Sequence, residues 1–183
     1  MREPPPGTVP PEPLDEEPKF EGVRFSVSVE HWPGGIEREV VRHPGACAAV
    51  VFPDQSNVLL VRQMRQAVRQ ETLEVPAGTR DVAGETQEDT MRREIMEETG
   101  YRTTAIEPLG SILTTPGFTS ERIDLFLAQA EPSGHGPSEQ GTEPVIVPFD
   151  QAIRMALTGQ IEDAKSIVAL LLARERVGAA TSP

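Results

Sequence analysis

Between residues 24 and 42 the chain alternates apolar and polar positions, with Phe25, Val27 and Val29 set between Ser26, Ser28 and Glu30. A period of two predicts a strand, Pro33-Gly34-Gly35 supplies a turn, and 36–41 returns as the second arm of an antiparallel β-hairpin. Two apolar runs, 46–52 and 58–62, form a second strand pair across Pro53-Asp54-Gln55-Ser56-Asn57, and 72–75 reads as another strand. The pattern then becomes helical. Met91 and Ile95 mark one side of a helix that starts after Thr86, a good N-cap, with Glu88 and Asp89 in its first turn and Gly100 at the left-handed stop. Further on, 106–113 and 123–128 read as strands around a loop at 114–121. A Gly/Pro/Ser-rich mobile loop spans 131–142, 145–147 is a short strand, and 149–157 and 161–177 are amphipathic helices. Hairpins outnumber regular βαβ units, so the expected fold class is α+β, with helices around a mixed β-sheet.

Composition narrows the picture. The chain has 183 residues, enough for one substantial core, and 37% hydrophobic against 25% charged residues describes a globular protein. Residues 1–20 hold seven of the 18 prolines and read as a disordered acidic tail; 178–183 read as a flexible C-terminal tail. No apolar run reaches the roughly 20 residues of a membrane helix, and the start of the chain is no secretory signal. The single cysteine, Cys47, lies in an apolar run and reads as a buried structural thiol, with a cytoplasmic location as the default. A net charge of −12 argues against a nucleic-acid partner, which needs a basic footprint.

Much of that charge is concentrated in one segment. Residues 78–101 carry seven acids and three bases, and Glu94, Glu97 and Glu98 fall within one helical turn. Like charges at such spacing cost roughly 0.2–0.5 kcal/mol per pair, and Arg93 relieves only part of this through Glu97. At about 100° per residue Glu98 projects about 20° from Met91, and Glu94 about 60°, so both carboxylates border the core. Hard oxygen ligands without a nearby histidine or thiolate suit Mg²⁺, or Mn²⁺, completed by substrate phosphate. An acidic site of this kind accepts an anionic substrate only once a metal inverts the local field.

Glu85, seven further residues, and then Arg93-Glu94-Ile95-Met96-Glu97-Glu98-Thr99-Gly100-Tyr101 resemble the Nudix hydrolase box, G-x5-E-x7-R-E-U-x-E-E-x-G-U, where U is bulky and apolar. The segment departs from it twice: six residues, not five, separate Gly78 from Glu85, and Tyr101 replaces the usual aliphatic residue. The resemblance implies a Nudix-type α/β/α sandwich over 44–177, preceded by an N-terminal β-hairpin at 21–43. Three more segments are similar to the ADP-ribose pyrophosphatase branch. These are Leu59-Leu60-Val61-Arg62-Gln63-Met64-Arg65, Leu73-Glu74-Val75-Pro76-Ala77-Gly78, and Thr115-Pro116-Gly117-Phe118-Thr119-Ser120-Glu121.

Carried over by position, the resemblance implies that the Ala77 carbonyl, Glu94 and Glu98 hold metal. Glu97 would be a further metal or water ligand, and Glu85 a ligand or a support behind one. Arg65 and Arg38 would grip the diphosphate or terminal ribose, because a planar guanidinium matches phosphate oxygens in pairs. Gly117 and Glu121 would touch substrate from their loop, and Trp32 could stack on the base. The water-activating base would be Glu139 or Glu143, both near the late loop. The family's exchange of N-terminal strands implies a homodimer. The implied reaction splits ADP-ribose into AMP and ribose 5-phosphate. Hydrolysis of another nucleotide sugar, such as GDP-mannose, and a non-catalytic nucleotide-sensing module are the alternatives.

Overall fold

The computed structural model describes residues 12–180. The tail expected over residues 1–20 lies outside the described residues up to position 11 and is overturned from Asp15 onward. Strand β1 (Asp15–Glu21) pairs antiparallel with β2 (Ser26–Trp32), which pairs in turn with β3 (Ile36–Arg42). The expected hairpin is therefore the second and third strands of a three-stranded sheet. Composition concealed β1 because every residue in it is exposed and its Pro18 sits beside a register shift, the edge position at which a sheet tolerates proline. Ser28 donates to Glu16 across the pair at 2.5 Å, and the Phe20 and Phe25 rings lie 5.8 Å apart.

The second sheet is built around β4 (Ala46–Phe52), whose first six residues are all buried. Its strand order is β10-β5-β4-β9-β8, comprising β5 (Asn57–Arg65), β8 (Tyr101–Leu113), β9 (Arg122–Pro132) and β10 (Thr142–Pro148). Two short strands are attached to it: β6 (Gln70–Glu74) on β5, and β7 (Ala77–Thr79), which sequence patterning missed, on β4. The β4–β9 pairing is parallel and the others are antiparallel, so the sheet is mixed, as expected.

Alternation along β4 divides the interior in two. Ala46, Ala48 and Val50 face one cluster with Val58, Leu60, Leu125 and Leu170, under α2 (Phe149–Leu157) and α3 (Ala164–Ala180). Cys47, Ala49 and Val51 face the other with Leu59, Met91, Ile95 and Phe126, under α1 (Gln87–Thr99). This is the α/β/α sandwich that the resemblance implied. A strand buried on both faces reads as a continuous apolar run, which is why 46–52 shows no alternation. Cys47 is buried and free, and burial, followed by the nearby Asp124 charge, pushes its thiol up to about 12. Helix α3 starts three residues later than expected and continues through 178–180, where a flexible tail was expected. Among the described residues no helix is long and apolar enough to cross a membrane.

The N-terminal sheet is joined to this body through the 114–121 loop. Val41 N–H donates to the Phe118 carbonyl at 2.7 Å, Ser120 N–H to the Val41 carbonyl at 3.0 Å, and His43 N–H to Ser120 Oγ at 3.0 Å. Replacing Leu170 with alanine leaves a cavity between α3 and β4. It should cost about 2–5 kcal/mol in chemical denaturation, with little change in the slope of the transition.

Candidate active site

Helix α1 is held at both ends. Thr86 accepts from Asp89 N–H at 3.1 Å, and Gly100, at φ 74°, closes the helix with its N–H on the Met96 carbonyl. The loop read as mobile is tied to this helix end. Ser138 and Glu139 N–H both donate to the Glu97 carbonyl, at 2.9 and 3.0 Å, and Ser133 Oγ donates to the Gly100 carbonyl at 2.7 Å. Carbonyls left over at a helix C-terminus need partners, and a loop rich in serine and glycine can bring backbone N–H groups close enough. Any side chain at Gly100 would put its Cβ 2.5 Å from the His135 carbonyl oxygen, so this glycine is also what lets the loop approach.

Glu94 and Glu98 are buried on the α1 side facing β7, in agreement with the angular reading, while Glu97 is half-exposed. Glu98 accepts one hydrogen bond, from Ala77 N–H at 3.0 Å. Burial pushes the Glu98 carboxyl up to about 8, the Glu139 and Glu94 charges add to the effect, and the Ala77 bond opposes it. Glu94 is pushed up by burial and partly restored by Arg93. The reason for Gly78 is steric: a Cβ there would lie 1.9 Å from Glu94 Cδ. The extra residue before Glu85 therefore leaves the contact that matters intact.

Arg93 occupies the middle of the acidic group. It reaches Glu94 at 2.7 Å, Glu97 at 3.0 Å, Glu85 at 3.1 Å and Asp81 at 3.8 Å. Glu85 is turned to Arg93 and to the Thr90 hydroxyl, and it supports the arginine rather than lining the cavity. As the side chains stand, no three acidic, histidine or cysteine groups among the described residues converge on one metal position. The donor set nevertheless fits a hard divalent cation. Two carboxylates are buried side by side with a third charge, Glu139, nearby, and Glu98 has no close cationic partner among the described residues.

These groups line a cavity of about 1330 Å³ that also takes in Glu97, Glu139, Arg65 and Glu121. Glu121 accepts from Thr114 Oγ1 at 2.9 Å. The two candidate bases are placed differently: Glu139, in the loop before β10, lines the cavity, whereas Glu143, on β10, pairs with Arg62 at 3.3 Å outside it. Arg38, Trp32 and Gly117 also lie outside the cavity of their own chain. Arg38 is exposed on β3 and bonds the Glu37 carbonyl at 2.8 Å, and the Trp32 indole donates to Glu30 at 3.0 Å.

One part of the wall went unread in the sequence. Arg65 grips the buried Glu74 with both Nε and Nη2, at 2.7 and 2.6 Å, and Lys165 bonds the same carboxylate. Lys165 Nζ also reaches Asp163 at 3.0 Å, and Asp163 caps Ser166 N–H at 2.9 Å. Ser166 Oγ then accepts from Val75 N–H at 2.8 Å, fixing the segment that leads into Pro76, Ala77 and Gly78. Glu74 was visible within its motif. Lys165 and Ser166 lay in a helix whose sequence gives no sign that its N-terminal turn reaches the site.

A mixed-sheet α/β/α sandwich with an acidic helix packed against a glycine strand fits the class of hydrolases that cleave diphosphate linkages with a divalent metal. The NUDIX domain model matches residues 41–171, and the chain belongs to that family. It is a Nudix pyrophosphatase of the ADP-ribose pyrophosphatase branch. It is 31% identical over 138 residues to an ADP-ribose pyrophosphatase of Bacillus subtilis, covering 73% of this chain and 74% of that one. It is 32% identical over 151 residues to a GDP-mannose pyrophosphatase of Cronobacter sakazakii, covering 72% and 78%. The fold matches the crystal structure of an ADP compounds hydrolase with a TM-score of 0.77 at 21% identity, over 93% of this chain and 96% of the other.

Two outcomes test this geometry. Gly78→Ala should displace Glu94 and reduce kcat/KM by at least about tenfold, the scale of losing support behind a site carboxylate, while circular dichroism stays native. The second concerns pH. Burial raises the Glu74 carboxyl, but the Arg65 bond, then Lys165 and Thr72, outweigh it and hold it at about 2. A folded-state value depressed from 4.5 means the stabilisation is present above pH 4.5 and is lost as pH falls towards 2. It amounts to about 3 kcal/mol. Denaturation of Glu74→Gln between pH 5 and about 2 should therefore show a shallower acid dependence than wild type.

Proposed function

We propose that the protein hydrolyses the diphosphate linkage of a nucleoside diphosphate joined to a sugar, with ADP-ribose as substrate and AMP and ribose 5-phosphate as products. The observation that carries this reading is the pair of buried carboxylates, Glu94 and Glu98, facing a cavity that also receives Glu139. Glu94, Glu98 and the Ala77 carbonyl would hold Mg²⁺, or Mn²⁺, with Glu97 as a further ligand. When bound, such an ion supplies charge neutralisation at the diphosphate.

The chain's own residues then have distinct tasks. Glu139 takes a proton from the attacking water as its oxygen bonds to one phosphorus, and the bridging P–O bond breaks towards the other phosphate. Arg93 keeps Glu94 and Glu97 together before metal arrives. Arg65, already committed to Glu74, presents a fixed cationic edge to the wall. Glu121 meets substrate from the 114–121 loop.

No phenylalanine, tyrosine or tryptophan is among the described residues lining the cavity. We therefore assign base stacking to a homodimer with exchanged N-terminal strands, in which Trp32 and Arg38 reach the partner's cavity. GDP-mannose is the second reading, favoured by the likeness to the Cronobacter sakazakii protein.

A substrate panel of ADP-ribose, GDP-mannose and NADH, with products identified by mass, should give ADP-ribose the highest kcat/KM; a higher value for GDP-mannose selects the second reading. Glu139→Gln should lower kcat by about 10²–10⁴-fold, the range of general-base catalysis. Glu143→Gln should stay near wild type, and the reverse pattern would move the base to β10.

A further inference from the structure

The cavity is strongly acidic, and its cations differ in how far they are committed. Four arginine or lysine side chains line it: Arg24, Arg65, Arg93 and Lys165. Against them stand nine acids, among them Asp81, Glu97 and Glu162 as well as the buried carboxylates. A diphosphate entering this space needs a cation whose donors are free to turn towards it.

Three of the four are already held. Arg93 lies within 3.1 Å of three carboxylates, Glu85, Glu94 and Glu97. Arg65 spends Nε and Nη2 on Glu74 at 2.7 and 2.6 Å, and Lys165 is shared between Glu74 and Asp163. Pulling any of these away would strip a counter-charge from a carboxylate, two of which (Glu74 and Glu94) are buried.

Arg24 is different. It projects from the turn between β1 and β2, where Gly22 N–H bonds the Phe25 carbonyl at 3.0 Å. Its Nη1 reaches Thr79 Oγ1 at 3.3 Å and Asp81 at 4.0 Å, both long contacts, and its side chain is 66% exposed. Thr79 directly follows Gly78, the residue packed on Glu94, so the guanidinium sits on the metal-ligand side of the cavity. Contacts of that length to a hydroxyl and an exposed acid are weak and readily exchanged.

We propose that Arg24 is a substrate-binding residue that grips the diphosphate of the nucleotide from the N-terminal sheet of its own chain. The assignment rests on the nucleoside-diphosphate reading above and adds a residue to it. A guanidinium presents paired donors to phosphate oxygens, whereas an ammonium presents a point charge, so Arg24→Lys should restore only part of what Arg24→Ala loses. It also gives the N-terminal sheet a task in the site of its own subunit, besides the one assigned across a dimer.

The test compares wild type, Arg24→Ala, Arg24→Lys and Arg174→Ala, the last removing an exposed arginine of α3 paired with Glu175. ADP binding is measured by calorimetry with Mg²⁺ present, alongside kcat, KM and thermal midpoint. Arg24→Ala should weaken ADP binding and raise KM by about tenfold, with kcat within about twofold and an unchanged midpoint, the signature of lost ground-state binding. Arg24→Lys should fall between, and Arg174→Ala should match wild type. ADP binding and KM unchanged in Arg24→Ala overturn the proposal and leave the hydrolase reading standing. A fall in kcat together with the thermal midpoint, not relieved by lysine, also overturns it, because that pattern reports a structural role through Thr79. Wild-type protein that turns over no nucleoside diphosphate and does not bind ADP overturns the functional reading and this proposal together.

Discussion

Two carboxylates buried side by side on one helix are the constraint around which the rest of this molecule is arranged. Glu98 is 2% exposed and Glu94 8%, and the first receives only the Ala77 N–H among the described residues. Removing a charge from water without a full set of partners costs several kcal/mol, which a protein avoids by protonation or by supplying a cation. Here the cost is met in part by Arg93 and in part by the raised protonation of Glu98. The arrangement is unfavourable for an empty site and favourable for one that receives a divalent ion. It demands a strand that comes very close, and only glycine at position 78 permits that approach.

The surroundings keep that geometry fixed from both faces of the sheet. On the α1 face, the 133–142 loop ties backbone N–H groups to the end of the helix, which brings Glu139 to the cavity without a regular element. From the opposite face, the first turn of α3 reaches under β6 through Asp163, Lys165 and Ser166 and holds Val75 just ahead of the Pro76-Ala77-Gly78 segment. The strand that carries Ala77 and Gly78 is thus supported by a helix on the opposite face of the sheet. Supporting hydrogen bonds of this kind govern how well a site holds its ion and its reactants.

How much of this could be read in the chain depended on whether the information was local. The box helix, its caps and the inward angle of Glu94 and Glu98 follow from spacing within 15 residues, and they were legible. The apolar run 46–52 announced a buried strand because both of its faces are covered. Strand β1 was hidden, since all of its residues are exposed and its pairing with β2 is tertiary information. The choice between Glu139 and Glu143 turned on where the loop ends and β10 begins: Glu139 is held in the loop by its N–H on the Glu97 carbonyl and Glu143 lies on the strand, and neither placement is written in local spacing. Arg65 was read from its motif as holding the diphosphate or terminal ribose, but its grip on Glu74 depends on the β5–β6 pairing, which sets Arg65 opposite Gln70 and Glu74 opposite Val61. Lys165 carried no local signal, and Arg24 entered the site only because the N-terminal sheet folds onto the mouth of the cavity.

Glu94 and Glu98 are proposed to form an anionic platform that a divalent cation completes. Thermal unfolding of wild type and of Glu98→Gln across a Mg²⁺ or Mn²⁺ titration tests it without reference to any substrate, because an ion that binds only the folded state raises the midpoint by mass action. The wild-type midpoint should rise saturably, and the rise should be lost in Glu98→Gln. A wild-type midpoint indifferent to both ions, or an equal rise in the variant, would contradict a platform completed by a cation.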